Sequence, residues 1–542
     1  MDWTKFQKPQ RYQGNEWNVI KKSHYGKIKI CLCFPDLYEV GMSNLGLRII
    51  YGYLNSFSDV VCERAFMPDG DLYNYLFRER TKLFSLETKT SLSDFELLGF
   101  NLGYELNYTN FIAMLTASGI ELKASCRRDM IILGGGAANP EPLCDFVDVF
   151  LLGEFEVVAD KLVDTLRRYK TKQERLQALA EIDGFYIPSF YNLDTSFGEY
   201  IFEKRYKYAK LPLKKVFVKD LDSIFYPTEW LTPYSAIVHD RAQVEIARGC
   251  PNNCYFCQAR CVYFPYRERK ADCLYELVKT IYKNSGYENF SLLALSASDY
   301  SQIEELIDRI TGSFDSEKVG LSLPSLRVED VVDRLYPLLR KIKRVSATFA
   351  VEAARQCLRD KINKRVDIDR LFEAAKVLRS LGSRHIKLYF MFGFPFEDDN
   401  DLLAIGDFVK ILKKKTHLSI NLSINAFVPK PFSEFQGINM ESESRLKEKR
   451  KVILSNLPRD GNIKVSISSI EKSLLEAVIS RADRKISPVL YEAFRAGAVF
   501  DSYSERSNSN LWQEAFKRAD VDPERYLLEK KDNFSFSHIQ MR

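Results

Sequence analysis

Residues 245–261 read EIARGCPNNCYFCQARC, and this stretch decides the fold and the chemistry together. An apolar run, QVEIA (243–247), ends in a tight loop that carries Cys250, Cys254 and Cys257 at the spacing C-x3-C-x2-C. Three thiolates on one loop can hold three irons of a [4Fe–4S] cube, because soft thiolate ligands suit iron–sulfur clusters. The fourth iron then has no protein ligand, and an open coordination position lets a small molecule bind metal directly. Two other readings stand beside this one. Cys261 could complete a structural zinc knuckle, although those use two C-x2-C pairs or histidine, and His239 is the sole one of five histidines nearby in sequence. A fully ligated electron carrier would need a fourth ligand in the same run.

Outward from the loop, strand-like and helix-like patterns alternate. Candidate strands are QVEIA, FSLLALS (290–296), VGLSLP (319–324), RVSATFAVE (344–352), HIKLYFMF (385–392) and LSINLSINAFV (418–428). Amphipathic helical stretches such as CLYELVKTIYKN and IDRLFEAAKVLRSLG lie between them. Six strand–helix units in a row predict a parallel sheet curled into a partial TIM-type (β/α)6 barrel over 236–435, with its chemistry at the C-terminal strand ends.

Towards the N-terminus, KIKICLCF (27–34), Leu97–Leu102, Met130–Leu133 and Val147–Leu152 read as strands. LGLRIIYGYLN and NYTNFIAMLTASGI read as helices between strands, and a parallel pair needs such a crossover. This predicts an α/β, Rossmann-like domain over 18–184. Short aromatic strands (GFYIPSFYNL, GEYIFEKRY, KKVFVKDL) suggest a β-rich connector over 185–235. Residues 436–542 are charged, helix-like and free of strand alternation, which predicts a helical C-terminal region.

At roughly 150 residues per domain, 542 residues fit three or four such units. Hydrophobic residues at 46% and charged residues at 28% exclude a disordered or fibrous polymer. Lys+Arg 79 against Asp+Glu 73 leaves +6, too little over this length to mark a nucleic-acid coat. With no apolar run of about 18 residues and no apolar signal core in MDWTKFQKPQRYQGNEWN, the expectation is a cytoplasmic protein without a membrane partner. Eleven cysteines are too sparse for a disulfide scaffold. Cys31, Cys33, Cys62, Cys126, Cys144 and Cys357, outside the cluster, are expected to be buried thiols.

The three-cysteine loop after a barrel strand closely resembles the radical S-adenosylmethionine (radical SAM) superfamily, whose motif is C-x3-C-x-aromatic-C, with Phe256 in the aromatic place. The resemblance implies Cys250, Cys254 and Cys257 as cluster ligands and S-adenosylmethionine chelated at the free iron. Ser296, Ser298 and Asp299 then stand where the family's GGEP-like segment holds the methionyl amino group, though the departure from GGEP is considerable. Ser322, Ser325 and Arg327 end strand three, Glu352 ends strand four near the ribose or methionine, and Gly393 ends strand five beside the adenine. Reductive cleavage of S-adenosylmethionine to a 5'-deoxyadenosyl radical is the implied chemistry, with a reductant protein such as flavodoxin or ferredoxin as partner.

GGGAANPEPLCDFVDVFLLGEFE (134–156), with its Gly153–Glu154 pair, resembles the end of the cobalamin-binding-like domain that precedes the barrel in one branch of the superfamily. The D-x-H-x-x-G loop that ligates cobalt in many cobalamin proteins is absent, so cobalamin is a candidate rather than a requirement. Methylthiotransferases share the layout and carry a second cluster in the front domain; Cys31, Cys33 and Cys62 match that spacing poorly. Phrases from FPDLYEVGMSNLG to LLEAVISRADRKI extend the resemblance over residues 18–525. The resemblance leaves the substrate open. RNA or a ribosomal protein is the candidate, because Lys413–Lys415 and RLKEKRK (445–451) could line a basic groove. The alternative class is a non-catalytic iron–sulfur or zinc protein used for binding or electron transfer.

Overall fold

The computed structural model describes residues 2–195, 199–314, 319–323, 326–341, 347–528 and 532–541. The front domain is a sheet of β1 (Ile28–Phe34), β2 (Val60–Phe66), β3 (Leu97–Asn101), β4 (Ile131–Gly135), β5 (Val149–Leu151) and β6 (Phe185–Tyr186) in the order 2-1-3-4-5-6. β1 to β5 are parallel and β6 closes the edge antiparallel to β5. This is the doubly wound order whose direction reverses between β1 and β3, where such sheets leave a crevice beyond their carboxyl ends. The expected helices appear as Leu45–Ser56 and Tyr108–Ala117.

β2 escaped the sequence reading because Glu63 and Arg64 interrupt its apolar run, yet all seven of its residues are buried. Their polar groups are satisfied inside: Arg64 Nε donates to Glu87 at 2.6 Å, Arg64 Nη2 to Glu16 at 3.0 Å, and Glu63 accepts from the Ser85 and Thr88 hydroxyls. Removing one partner of such a buried pair typically costs about 3–5 kcal/mol.

The connector holds β7 (Tyr191–Asp194) antiparallel to β8 (Ile201–Lys204), and the short β9 (Leu213–Lys214). The barrel follows as two parallel arcs. The first comprises β10 (Ala242–Glu245), β13 (Asn289–Leu293) and β14 (Gly320–Ser322), beside a small ribbon of β11 (Ala247–Arg248) and β12 (Arg267–Glu268). The second comprises β15 (Ala347–Glu352), β16 (His385–Phe392), β17 (Ser419–Ala426) and β18 (Ile463–Ile467). Parts of the expected third and fourth strands lie outside the described residues.

β18 corrects the reading of 436–542 as free of strands. It pairs in parallel with β17, Ile420 opposite Ile463, and was missed because only its end residues are even partly covered, so apolar alternation is weak. The rest of the region is helical, apart from β19 (Ile539–Gln540) on β9. It packs on the front domain rather than standing apart: Phe500 N donates to Asn110 at 2.7 Å and Asn139 Nδ2 to the Ala482 carbonyl at 2.7 Å. Among the described residues no helix is long and apolar enough to cross a membrane.

Candidate active site

The cysteine loop leaves β11 through Gly249, whose φ of +91° and close neighbours leave no room for a side chain; a Cβ would lie 2.7 Å from the Pro265 carbonyl oxygen. Cys250, Cys254 and Cys257 are partly exposed, whereas Cys261 is buried. Burial raises the Cys254 and Cys257 thiols above their ordinary range, while Lys364 pulls Cys254 back down. Each also responds to the charge of the other loop cysteines. Among the described residues no three His, Cys, Asp or Glu side chains converge on a single-ion site.

Neighbouring strand ends grip this loop. Asn252 Nδ2 donates to Cys250 Sγ at 3.6 Å and to Asp299 Oδ2 at 2.8 Å, and Arg327 Nη1 donates to Asp299 Oδ1 at 3.2 Å. Asn363 Nδ2 donates to the Asn253 carbonyl at 2.6 Å, and Tyr255 N to the Ile362 carbonyl at 3.1 Å. Tyr255 and Phe256 pack against Ala353, Phe394, Phe427 and Phe435, an aromatic cluster beyond β15, β16 and β17. The thiols and this apolar wall therefore share one mouth.

Of the predicted residues, Asp299, Arg327 and Phe256 gather around the loop. Glu352 joins them electrostatically, since its charge raises the Cys254 thiol. A bulge after Ala350 sets its φ to +65°, a conformation that costs about 1–3 kcal/mol for such a residue. Desolvation pushes its carboxyl up to about 7, against the pull of Lys364. Ser296 is buried at the end of the second strand. Ser298 is fully buried and spent on the scaffold, accepting from Arg327 N at 2.8 Å. Ser322 lies lower in the barrel, level with Ser291 and Gln243 and bonded to Arg241 Nη1 at 3.1 Å, so it is not brought to the loop. Ser325 lies outside the described residues.

Gly393 has a φ of +91°, and a Cβ there would meet Leu446 Cδ2 at 2.6 Å. Its N–H donates to Glu397 Oε1, which also meets Lys449 Nζ at 3.1 Å. Lys449 is 2% exposed and also donates to the Phe394 carbonyl. Within the RLKEKRK run Lys449 is therefore a buried strut, and two of the other cations are paired: Arg445 with Glu448, Lys447 with Glu443. Lys413 likewise bonds the Leu418 carbonyl, and Lys415 lies over the Phe372 ring.

Sequence reading missed the residues that join the two domains. Arg248, two positions before Cys250, donates to Glu154 at 2.8 Å, Glu156 at 2.8 Å and Glu245 at 2.9 Å. Arg267 donates to both oxygens of Glu154, and Val218 N to Oε2 at 2.8 Å. The signal was present: Glu154 belongs to the Gly–Glu pair, and Arg248 belongs to the cysteine phrase. This network lines part of a cavity of about 510 Å³ that runs from Ile30, Leu32, Gly99 and Asn101 of the front domain to Arg248 and Gly249 of the barrel. It occupies the β1/β3 crevice, is chiefly apolar, and lacks a histidine among its lining residues. A Cβ on Gly135 would meet nothing closer than the Phe100 carbonyl oxygen at 3.9 Å, so the glycine leaves backbone open to an occupant.

Cys31, Cys33, Cys62 and Cys144 are buried as expected; Cys126 and Cys357 are exposed instead. Cys31 and Cys33 lie side by side, Sγ atoms 4.0 Å apart, as the period of a strand dictates. Cys62 sits one strand away, opposite Ile30.

Comparison with known proteins agrees with this geometry. Residues 46–188 match the model for radical SAM proteins, N-terminal, and 244–409 the model for the radical SAM superfamily. An uncharacterized protein of Methanocaldococcus jannaschii is 26% identical over 89% of this chain and 98% of its own. The ribosomal protein uS12 methylthiotransferase RimO of Desulfotalea psychrophila is 23% identical over 49% of this chain and 62% of its own. The radical SAM methyltransferase TsrM of Kitasatospora setae, solved with cobalamin and a [4Fe–4S] cluster, shares the fold at TM-score 0.54 and 10% identity. It covers 91% of this chain and 100% of its own. Cysteine loop, barrel and front domain thus fall where two models of one superfamily lie in tandem, and the chain belongs to the radical SAM superfamily.

Proposed function

We propose that Cys250, Cys254 and Cys257 hold a [4Fe–4S] cluster, that Phe256, Phe394 and Phe427 would wall the S-adenosylmethionine site, and that the cavity would take up part of a cobalamin for a methyl transfer. The observation that carries this reading is the cavity itself, which begins in the front-domain crevice and ends at Gly249, the residue before the first ligand. Its apolar lining, its open backbone at Gly135 and its place at the switch point suit the apolar part of a large cofactor. A protein ligand to cobalt from histidine is not part of this reading.

When bound, the cluster and S-adenosylmethionine together supply one-electron cleavage of a C–S bond and cobalamin supplies a methyl carrier. The chain's own residues do the rest. Asn252, Asp299 and Arg327 fix the loop so that the thiolates stay in place. The aromatic wall excludes water. Glu352, with its carboxyl raised to about 7, presents a hydrogen-bonding group that is readily neutral in the mouth. Arg248 ties the loop to the cavity floor, so two cofactor sites keep one separation.

The test is anaerobic reconstitution with iron and sulfide, reduction, and incubation with S-adenosylmethionine. Formation of 5'-deoxyadenosine or S-adenosylhomocysteine supports an enzyme; consumption of none at any turnover leaves the non-catalytic cluster or zinc protein. Cobalamin is read separately, by absorbance after purification from supplied cells.

A further inference from the structure

Residues 204–219, KRYKYAKLPLKKVFVK, contain seven cations and no acid in a chain whose overall charge is nearly balanced. Lys204, Lys207, Lys214 and Lys219 are exposed, and among the described residues none of them has an ion-pair partner within salt-bridge distance. Within the same ribbon, Tyr206 and Tyr208 stack with centroids 5.2 Å apart and planes 6° from parallel. Phe190 braces both from the side at 5.0 and 5.4 Å, while Tyr206 remains 42% exposed. The far end of the ribbon is anchored at the cavity rim. Lys215 Nζ donates to the carbonyls of Cys261, Val262 and Phe264, just beyond the cysteine loop, and Val218 N to Glu154. Glu154 and Tyr263 line the cavity.

We propose that this ribbon is a binding track for single-stranded RNA, which brings an unpaired segment of the substrate to the cavity mouth. The inference rests on the reading of that mouth as the reacting site. Unpaired cations at intervals suit a phosphate backbone, and a braced, half-exposed ring offers a flat face to a base at little ordering cost. An acidic peptide would use the cations but leave the tyrosine face idle, and a basic protein would be repelled. A duplex is disfavoured because its stacked bases cannot reach a tyrosine ring.

Binding is measured by fluorescence anisotropy on the full-length chain with a labelled, unstructured RNA of about 20 nucleotides at several salt concentrations. Affinity should fall steeply with salt. Replacing Lys204, Lys207, Lys214 and Lys219 by Ala should flatten the logarithmic salt dependence by about 0.7 for each phosphate left without its cation. Tyr206→Ala should weaken binding about five- to a hundredfold with the slope unchanged, and Tyr206→Phe should restore it. Iron content after reconstitution checks that each variant folds. Equal binding by wild type and the quadruple variant would overturn the proposal. So would displacement of the RNA by polyglutamate together with an inert Tyr206→Ala, which would point to an acidic protein. RNA binding without consumption of S-adenosylmethionine would sink the enzymatic reading and leave the track standing; the reverse result would sink the track alone.

Discussion

Cys254 and Cys261 separate two kinds of metal loop by a single substitution each. An open cluster predicts that Cys254→Ala abolishes iron–sulfur absorbance after reconstitution, whereas Cys261→Ala, which removes a buried thiol, keeps it. Equal loss in both would mean a fourth thiolate ligand. Glu397 carries a pH prediction. Desolvation pushes its carboxyl up to about 7, against the pull of Lys449, from an ordinary value near 4.5. A carboxyl raised on folding binds its proton more tightly in the folded state, so its protonated form stabilises below the unfolded value, and stability falls as pH rises towards 7. Glu397→Gln should flatten urea-unfolding free energy over about pH 4.5–7, a window in which wild type loses on the order of 1–3 kcal/mol. An unchanged slope would place the proton elsewhere. The cysteine spacing made the proposed ligands legible at this scale. Glu397 and Lys449 were not, because a Lys within a charged run reads as solvated surface until a helix is seen to bury it.

At the scale of elements, the ribbon β11 and the end of β5 are held together by charge. Arg248 and Glu154 are each about 9% exposed, and three carboxylates surround the guanidinium. Arg248→Met strands those carboxylates and should cost about 3–5 kcal/mol, read as a lower urea midpoint. Arg248→Lys should recover only part, since an ammonium cannot reproduce the fork. A neutral Arg248→Met would mean that the domains are joined by apolar packing alone. Strands with clean apolar runs, β1, β16 and β17, were legible in the sequence. β2 and β18 were not: one hides charges inside the sheet, the other shows too little burial to leave a pattern.

For the whole molecule, the succession of a parallel front sheet and later barrel strands was legible because each has its own periodicity, but their joint was not. The cavity exists only where β1 and β3 of one domain face Gly249 of the other, residues more than 140 positions apart. Gly135→Leu, which would put a side chain into that space, should prevent cobalamin retention while leaving iron content intact, measured by absorbance and iron assay on one sample. Loss of both would mean that the front domain folds poorly rather than that its cavity is filled. The most direct measurement is the electron paramagnetic resonance spectrum of the reduced cluster with and without S-adenosylmethionine. A cluster held by Cys250, Cys254 and Cys257 alone has an iron open to the ligand, and its g-values should shift when S-adenosylmethionine is added. A spectrum indifferent to saturating S-adenosylmethionine would contradict an open cluster and with it the enzyme built around one.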